Sequence, residues 1–326
     1  MSRQLLFILA ALLLTSSAYA QKALGTRLQS YDYPYPVYFM PATVESRHVQ
    51  IAYMDVRPSR PNGKVVLLMH GKNFPAAYWQ HTIVALTGAG YRVLAPDALG
   101  FGKSSKPLVQ YSFSLLAALT RELLDTLKIQ KVAVIGHSMG GMLATRFALS
   151  YPERVSKLVL EDALGLEDWR SKGVPYRKVD DWYKDEQAAT FQSIQKYHKT
   201  SYYPVWKEEY NEWINVQYGM KLSKDRKQLD YVNALTYDMI FNQPVVHEFP
   251  DLKVPTLVVI GTEDKTKLAR GVSERLAATL GNYRKLGKEA ANAIPNSRLI
   301  EYENIGHVPH LEIPEQFHAD LIEFLK

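Results

Sequence analysis

The 326-residue sequence contains no cysteine. That excludes a disulfide framework, a thiolate metal site, a cysteine nucleophile and lipidation on cysteine. It lacks a strong charge of one sign, because 39 basic residues face 33 acidic ones for a net +6. No run of lysine and arginine stands out, so no nucleic-acid partner is expected. No apolar stretch reaches the roughly 20 residues that a membrane span needs. There is no internal repeat and no low-complexity tract. At 47% hydrophobic and 22% charged, the chain is too apolar for disorder. Its length fits one large α/β domain or two small domains.

The first twenty residues have their own pattern. Arg3 precedes an apolar run over 5–14, and Ala18-Tyr19-Ala20 follows. A charged start, a short hydrophobic core and an A-x-A site predict a secretory signal peptide over 1–20. The mature chain then begins at Gln21 and is exported, periplasmic or secreted. No second long apolar stretch follows, so no stable membrane insertion is expected after cleavage.

Short, β-branched apolar runs recur along the rest of the chain. They lie at 49–54, 65–69, 92–95, 132–135, 157–160, 256–260 and 298–302. Such runs suit strands buried on both faces. Helical patterns separate them, at 76–87, 112–127, 139–150, 273–279 and 314–325. The alternation predicts an α/β fold with a mostly parallel, doubly wound sheet. It breaks between about 165 and 250. That segment has no strand-like run but holds four of the five tryptophans and nine of the 21 tyrosines. We read it as an inserted helical cap. The expected organisation is a signal peptide over 1–20, core over 21–164, cap over 165–250 and core over 251–326. Most of the cap's rings should pack its own core; a few facing the sheet could line a substrate pocket.

The most informative motif is Gly136-His137-Ser138-Met139-Gly140, with Gly141 after it. It follows a predicted strand and opens a predicted helix, the context in which G-x-S-x-G places a nucleophilic serine. A tight turn there needs small residues around Ser138. The backbone N–H of Met139, at a helix start, points where an oxyanion would form. A serine hydroxyl needs an adjacent base. His307, in Gly306-His307-Val308-Pro309 after the last strand, is the first candidate, with His310 as rival. His70 and His137 border glycine turns and are expected to support them. The base needs a carboxylate to fix its tautomer. Asp264, just past the strand at 256–260, takes that place, and Asp162 is the alternative. The order serine, acid, histidine is the one such triads follow on this kind of sheet. A second oxyanion donor should come from the loop after the strand at 65–69. The N–H of Lys72 is preferred and that of Asn73 is the alternative, with the Lys72 side chain expected in solvent.

With these residues the sequence resembles the α/β-hydrolase superfamily, in its serine esterase-like branch with a helical cap. The resemblance rests on His70-Gly71, on Asp97-Ala98-Leu99-Gly100-Phe101-Gly102-Lys103-Ser104, on Gly136 to Gly141, on Asp264 and on Gly306-His307. It covers about residues 45–326. It implies cleavage of a carboxylic ester through Ser138, His307 and Asp264 by way of an acyl-enzyme. No cofactor and no metal is expected. The expected partner is a small-molecule substrate, an apolar or aromatic ester. A carbon–carbon bond hydrolase or a lactonase would use the same triad. A ligand-binding receptor or non-catalytic scaffold is the alternative of another class. Dehalogenases and epoxide hydrolases of this branch use aspartate where this chain has Ser138. The lipase-type run of glycines after His70 is absent, since Lys72 and Asn73 follow Gly71. The stretch from Asp264 to His307 is longer than in such relatives. The excess is placed around 281–296, read as an inserted loop or helix.

Overall fold

The computed structural model describes residues 22–326, and the expected signal peptide lies outside them. Eight strands form one sheet: β1 Val37–Val44, β2 Arg47–Val56, β3 Val65–Met69, β4 Arg92–Pro96, β5 Val132–His137, β6 Val155–Glu161, β7 Thr256–Gly261 and β8 Ser297–Tyr302. Their order is β1-β2-β4-β3-β5-β6-β7-β8. β1 and β2 pair antiparallel, as do β2 and β4; every other neighbour pair is parallel.

The central strands read as unbroken apolar runs because helices cover both faces. Leu67 and Val134 point into one core layer, with Leu116 and Leu123 of α2 (Phe113–Thr126) and Phe147 of α3 (Met139–Ser150). Val66, Leu68 and Ile135 point into the other, with Ile83 and Leu86 of α1 (Gln80–Gly88). Phe317 and Leu321 of α11 (Pro314–Leu325) join that second layer. Neighbouring side chains on a strand alternate between faces, so a sheet with two covered faces needs apolar residues at every position. Ser112 caps α2 by accepting the Leu115 N–H at 3.0 Å. The doubly wound, mostly parallel sheet expected from the sequence is the one observed.

Three expectations need correction. β1 has no counterpart among the predicted strands. Its alternation is partial and Pro41 interrupts it. A proline is tolerated there because β1 lies at the sheet edge. The pattern at 76–87 is a 3-10 turn, Ala76–Trp79, followed by α1. The third concerns 281–296, which is no insertion. It forms α9, Tyr283–Ala293, packed on β7 and β8. Two parallel neighbours need such a crossover. Before it, in 265–282, only Glu274–Ala277 is helical (α8).

Between β6 and β7 the regular elements are helical: α4 Val179–Ala188, α5 Phe191–Tyr197, α6 Asn211–Lys221 and α7 Arg226–Asn242, with short turns between them. Many of the rings pack on each other. Trp182 stacks on Tyr237 at 5.0 Å, and Tyr203 stacks on Tyr210 at 3.9 Å. Among the described residues no helix is long and apolar enough to cross a membrane.

Candidate active site

β3 has β4 on one side and β5 on the other, so the chain reverses its direction of winding there. In open α/β sheets such a switch point leaves a crevice at the carboxyl ends of the strands. The loop after β3 carries Gly71, Lys72 and Asn73, and the turn after β5 carries Ser138.

Ser138 has φ +58°, a left-handed conformation that a residue with a side chain adopts at a cost. The surroundings hold it there. Its N–H donates to the Glu161 carbonyl at 3.0 Å, and its own carbonyl accepts the N–H groups of Gly141 at 2.9 Å and Leu164 at 3.0 Å. A Cβ on Gly136 would collide with the Gly140 carbonyl and Ala144, and one on Gly140 would collide with the Met69 carbonyl. The glycines are therefore required by close approach of α3 to β5 and β3. α3 starts at Met139, so the Met139 N–H lies in its first, unsatisfied turn.

His307 follows β8. Its Nδ1 meets the Asp264 Oδ2 at 2.6 Å, with both side chains fully buried. The other oxygen of Asp264 accepts the Thr266 N–H at 2.7 Å. A carboxylate can only accept, so His307 carries its proton on Nδ1 and leaves Nε2 as the free base atom. That Nε2 is buried with no hydrogen-bond partner among the described residues. The Tyr202 ring lies over the imidazole at 4.5 Å and 25°. Tyr202 also accepts the His307 N–H on its backbone carbonyl at 2.7 Å.

The rivals are placed elsewhere. Asp162 accepts the Gly261 N–H at 2.9 Å. Burial, with the charge of Asp264 added, pushes its pKa well above the usual carboxylate value. His310 pairs with Glu161 at 2.8 Å and stacks on Trp79 at 4.2 Å. His137 sits between two loops. Its Nε2–H donates to the His307 carbonyl at 2.7 Å, and its Nδ1 accepts from the Tyr78 hydroxyl at 3.0 Å. That hydroxyl accepts the Gly71 N–H at 3.1 Å. Burial, with His307 and His310 nearby, drives the His137 pKa well below 6.5, which keeps the ring neutral for both bonds. His70 likewise links Ala98 N–H and the Gly71 carbonyl, at 3.0 and 2.8 Å. Both rings support turns, as the sequence suggested.

A sequence model described as alpha/beta hydrolase fold matches residues 64–314. The chain belongs to this family. It is similar to a "probable hydrolytic enzyme" from Pseudomonas aeruginosa PAO1, at 48% identity and TM-score 0.93, over 94% of this chain and 99% of that one. It is 29% identical over 271 residues to a 2-hydroxy-6-oxononadienedioate/2-hydroxy-6-oxononatrienedioate hydrolase of Paraburkholderia phymatum, covering 80% of this chain and 87% of the relative. Lipase 1 of Psychrobacter immobilis is 28% identical over 255 residues, 77% of this chain and 73% of its own.

In this α/β hydrolase the Lys72 side chain is not in solvent, contrary to expectation. Its amine donates to Thr236 Oγ1 at 3.0 Å and to the Asn233 carbonyl at 3.2 Å, both on α7. It also sits 3.9 Å above the Tyr237 ring. Burial pushes its pKa down to about 8. The helical insertion covers the loop after β3, and sequence spacing gave no sign of that. The Asn73 side chain donates to the Tyr202 hydroxyl at 2.8 Å.

A cavity of about 340 Å³ opens beside Asn73, with Tyr197, Tyr237, Glu186, Asp185 and Arg270 in its wall; Ser138, Asp264 and His307 do not line it. Its charges are paired: Lys221 with Glu186 at 2.8 Å and Arg270 with Asp185 at 3.1 Å. Sequence reasoning missed Tyr202, Asn73 as a side chain, and this polar wall. The insertion reaches the site only through folding, and no motif marks those positions.

Proposed function

We propose that this α/β hydrolase is a serine hydrolase that cleaves a carboxylic ester. The observation that carries the reading is the buried Asp264–His307 pair, with its free Nε2, on the same crevice as the strained turn of Ser138. In this mechanism His307 Nε2 takes the proton of Ser138 as its Oγ attacks the carbonyl carbon. Asp264 stays ionised, fixes the tautomer and stabilises the imidazolium. The N–H groups of Met139 and Lys72 hold the oxyanion; losing one such donor costs on the order of 10²-fold or more in rate. The alcohol leaves with the proton from His307, and water then frees the serine.

The cavity wall supports a revised substrate. Tyr197 and Tyr237 suit an aromatic or unsaturated group, while Asn73 and Arg270 offer polar contacts. A plain alkyl chain would strip water from this polar wall and return no hydrogen bond to it. The favoured substrate is therefore small, unsaturated and polar. The same wall, with the name of the Paraburkholderia relative, supports a second reading: cleavage of a carbon–carbon bond next to a carbonyl by the same triad. Export by the segment 1–20 is part of the proposal.

The test is turnover of p-nitrophenyl esters and of a 2-hydroxy-6-oxo-dienoate by the protein and by Ser138→Ala. Ester turnover lost in a folded Ser138→Ala variant is the expected result. Turnover that survives the substitution sinks the nucleophile, and dienoate cleavage without ester cleavage moves the chemistry to the second reading.

A further inference from the structure

Three consecutive backbone N–H groups surround the candidate base, and each is taken. The His307 N–H goes to the Tyr202 carbonyl. The two flanking it, of Gly306 and Val308, both go to one side chain, Glu312. Gly306 donates at 3.1 and 3.2 Å to its two carboxylate oxygens, and Val308 donates at 3.2 Å to the first of them. Glu312 ends the short helix Pro309–Glu312 (α10), so the chain turns back and grips the loop it has just left. The His307 carbonyl is fixed by His137. Gly306 leaves no room for slack, because a Cβ there would collide with the Tyr202 carbonyl.

We infer that Glu312 is a positioning residue for His307, acting as an ionised clamp on the two peptide groups that flank it. The inference rests on the hydrolase reading above, in which His307 is the base. An ionised acceptor makes hydrogen bonds roughly twice as strong as a neutral one. The clamp is therefore firm when Glu312 carries its charge and slack when it does not. Burial raises the Glu312 pKa to about 7, with the two N–H groups opposing the rise, the negative charge of Asp264 adding to it and Lys207 opposing it. The other titratable groups facing it are Asp162, after β6, and Tyr203 and Tyr210 of the insertion, whose pKa values its charge helps to raise. Glu312 thus changes charge in the range where an enzyme of this kind works. Above about pH 7 the clamp is charged; below, it is neutral.

The experiment compares the full-length protein with Glu312→Gln, which keeps the shape and removes the charge. At pH 8.5 the variant should lose at least tenfold in kcat with KM within twofold. Below pH 6, where wild-type Glu312 is itself neutral, the two should converge. A ratio that is constant with pH, or a kcat that does not fall, overturns the clamp. If Glu312→Gln does not fold, wild-type protein labelled at its glutamate carboxyl carbons answers by NMR. The Glu312 carboxyl signal should titrate near pH 7, and the Gly306 and Val308 N–H signals that it accepts should follow the same inflection. A Glu312 titration that those two N–H signals do not follow overturns the clamp. This arm needs no turnover, so it also separates the clamp from the hydrolase reading: inactivity of the wild-type protein with an intact inflection defeats only the latter.

Discussion

Asp162 and Asp264 follow the carboxyl ends of neighbouring strands, and both are fully buried. Two adjacent buried carboxyls do not both ionise readily, and the environment decides which one stays neutral. Asp264 has the histidine; Asp162 has only the Gly261 N–H and a raised pKa. The two isosteric substitutions should therefore differ. Asp264→Asn should cut kcat by about 10⁴-fold, because the amide favours the wrong tautomer of His307. Asp162→Asn, which replaces a neutral acid by a neutral amide, should stay within about tenfold. Steady-state kinetics at pH 8 on both variants checks this. The reverse ranking would move the acid to Asp162. The sequence carried both candidates and their order along the chain. It could not separate them, because the choice depends on a side-chain approach across 43 residues.

The helical insertion has a polar core as well as an aromatic one. The Lys221 amine, at the end of α6, lies between Glu186 of α4 and Asp230 of α7, at 2.8 and 2.7 Å, with all three side chains nearly inaccessible. Arg226 adds a further bond to Asp230 at 3.0 Å. Removing one partner from a buried ionic group strands the others and costs about 3–5 kcal/mol. Lys221→Ala should therefore lower stability by that amount in urea unfolding, while the sheet's far-ultraviolet signature persists below the transition. A loss under about 1 kcal/mol would mean that water reaches the group and screens it. α7 also holds Lys72, so these helices fix the loop after β3. The elements themselves were unequally legible. α2, α3, α11 and the central strands have strong patterns and clear starts. β1 failed because an edge strand is half exposed and keeps a proline. The crossover α9 was read as an insertion because its residues are largely polar on the outside.

At the scale of the molecule, the fold assembles a site from distant parts of the chain. Gly71 to Asn73, Ser138, Asp264 and His307 lie on one crevice because β3, β5, β7 and β8 run parallel and end at the same sheet edge, and the insertion brings Tyr202 over His307. The proposed export belongs to this scale too. Amino-terminal sequencing of the exported protein should begin at Gln21, and an intact Met1 would overturn the signal-peptide reading. The sequence by itself determined the sheet class, the turn at Ser138 and the identity of the residues with chemistry to offer. Those features are local: a glycine pattern, an apolar run and a cap are set by neighbours along the chain. Only the tertiary structure decided that the Lys72 amine is held by α7, that Tyr202 covers His307 and that the cavity wall is polar. Contacts between segments so far apart follow from packing the insertion on the sheet, and no periodicity along the chain encodes which faces will meet.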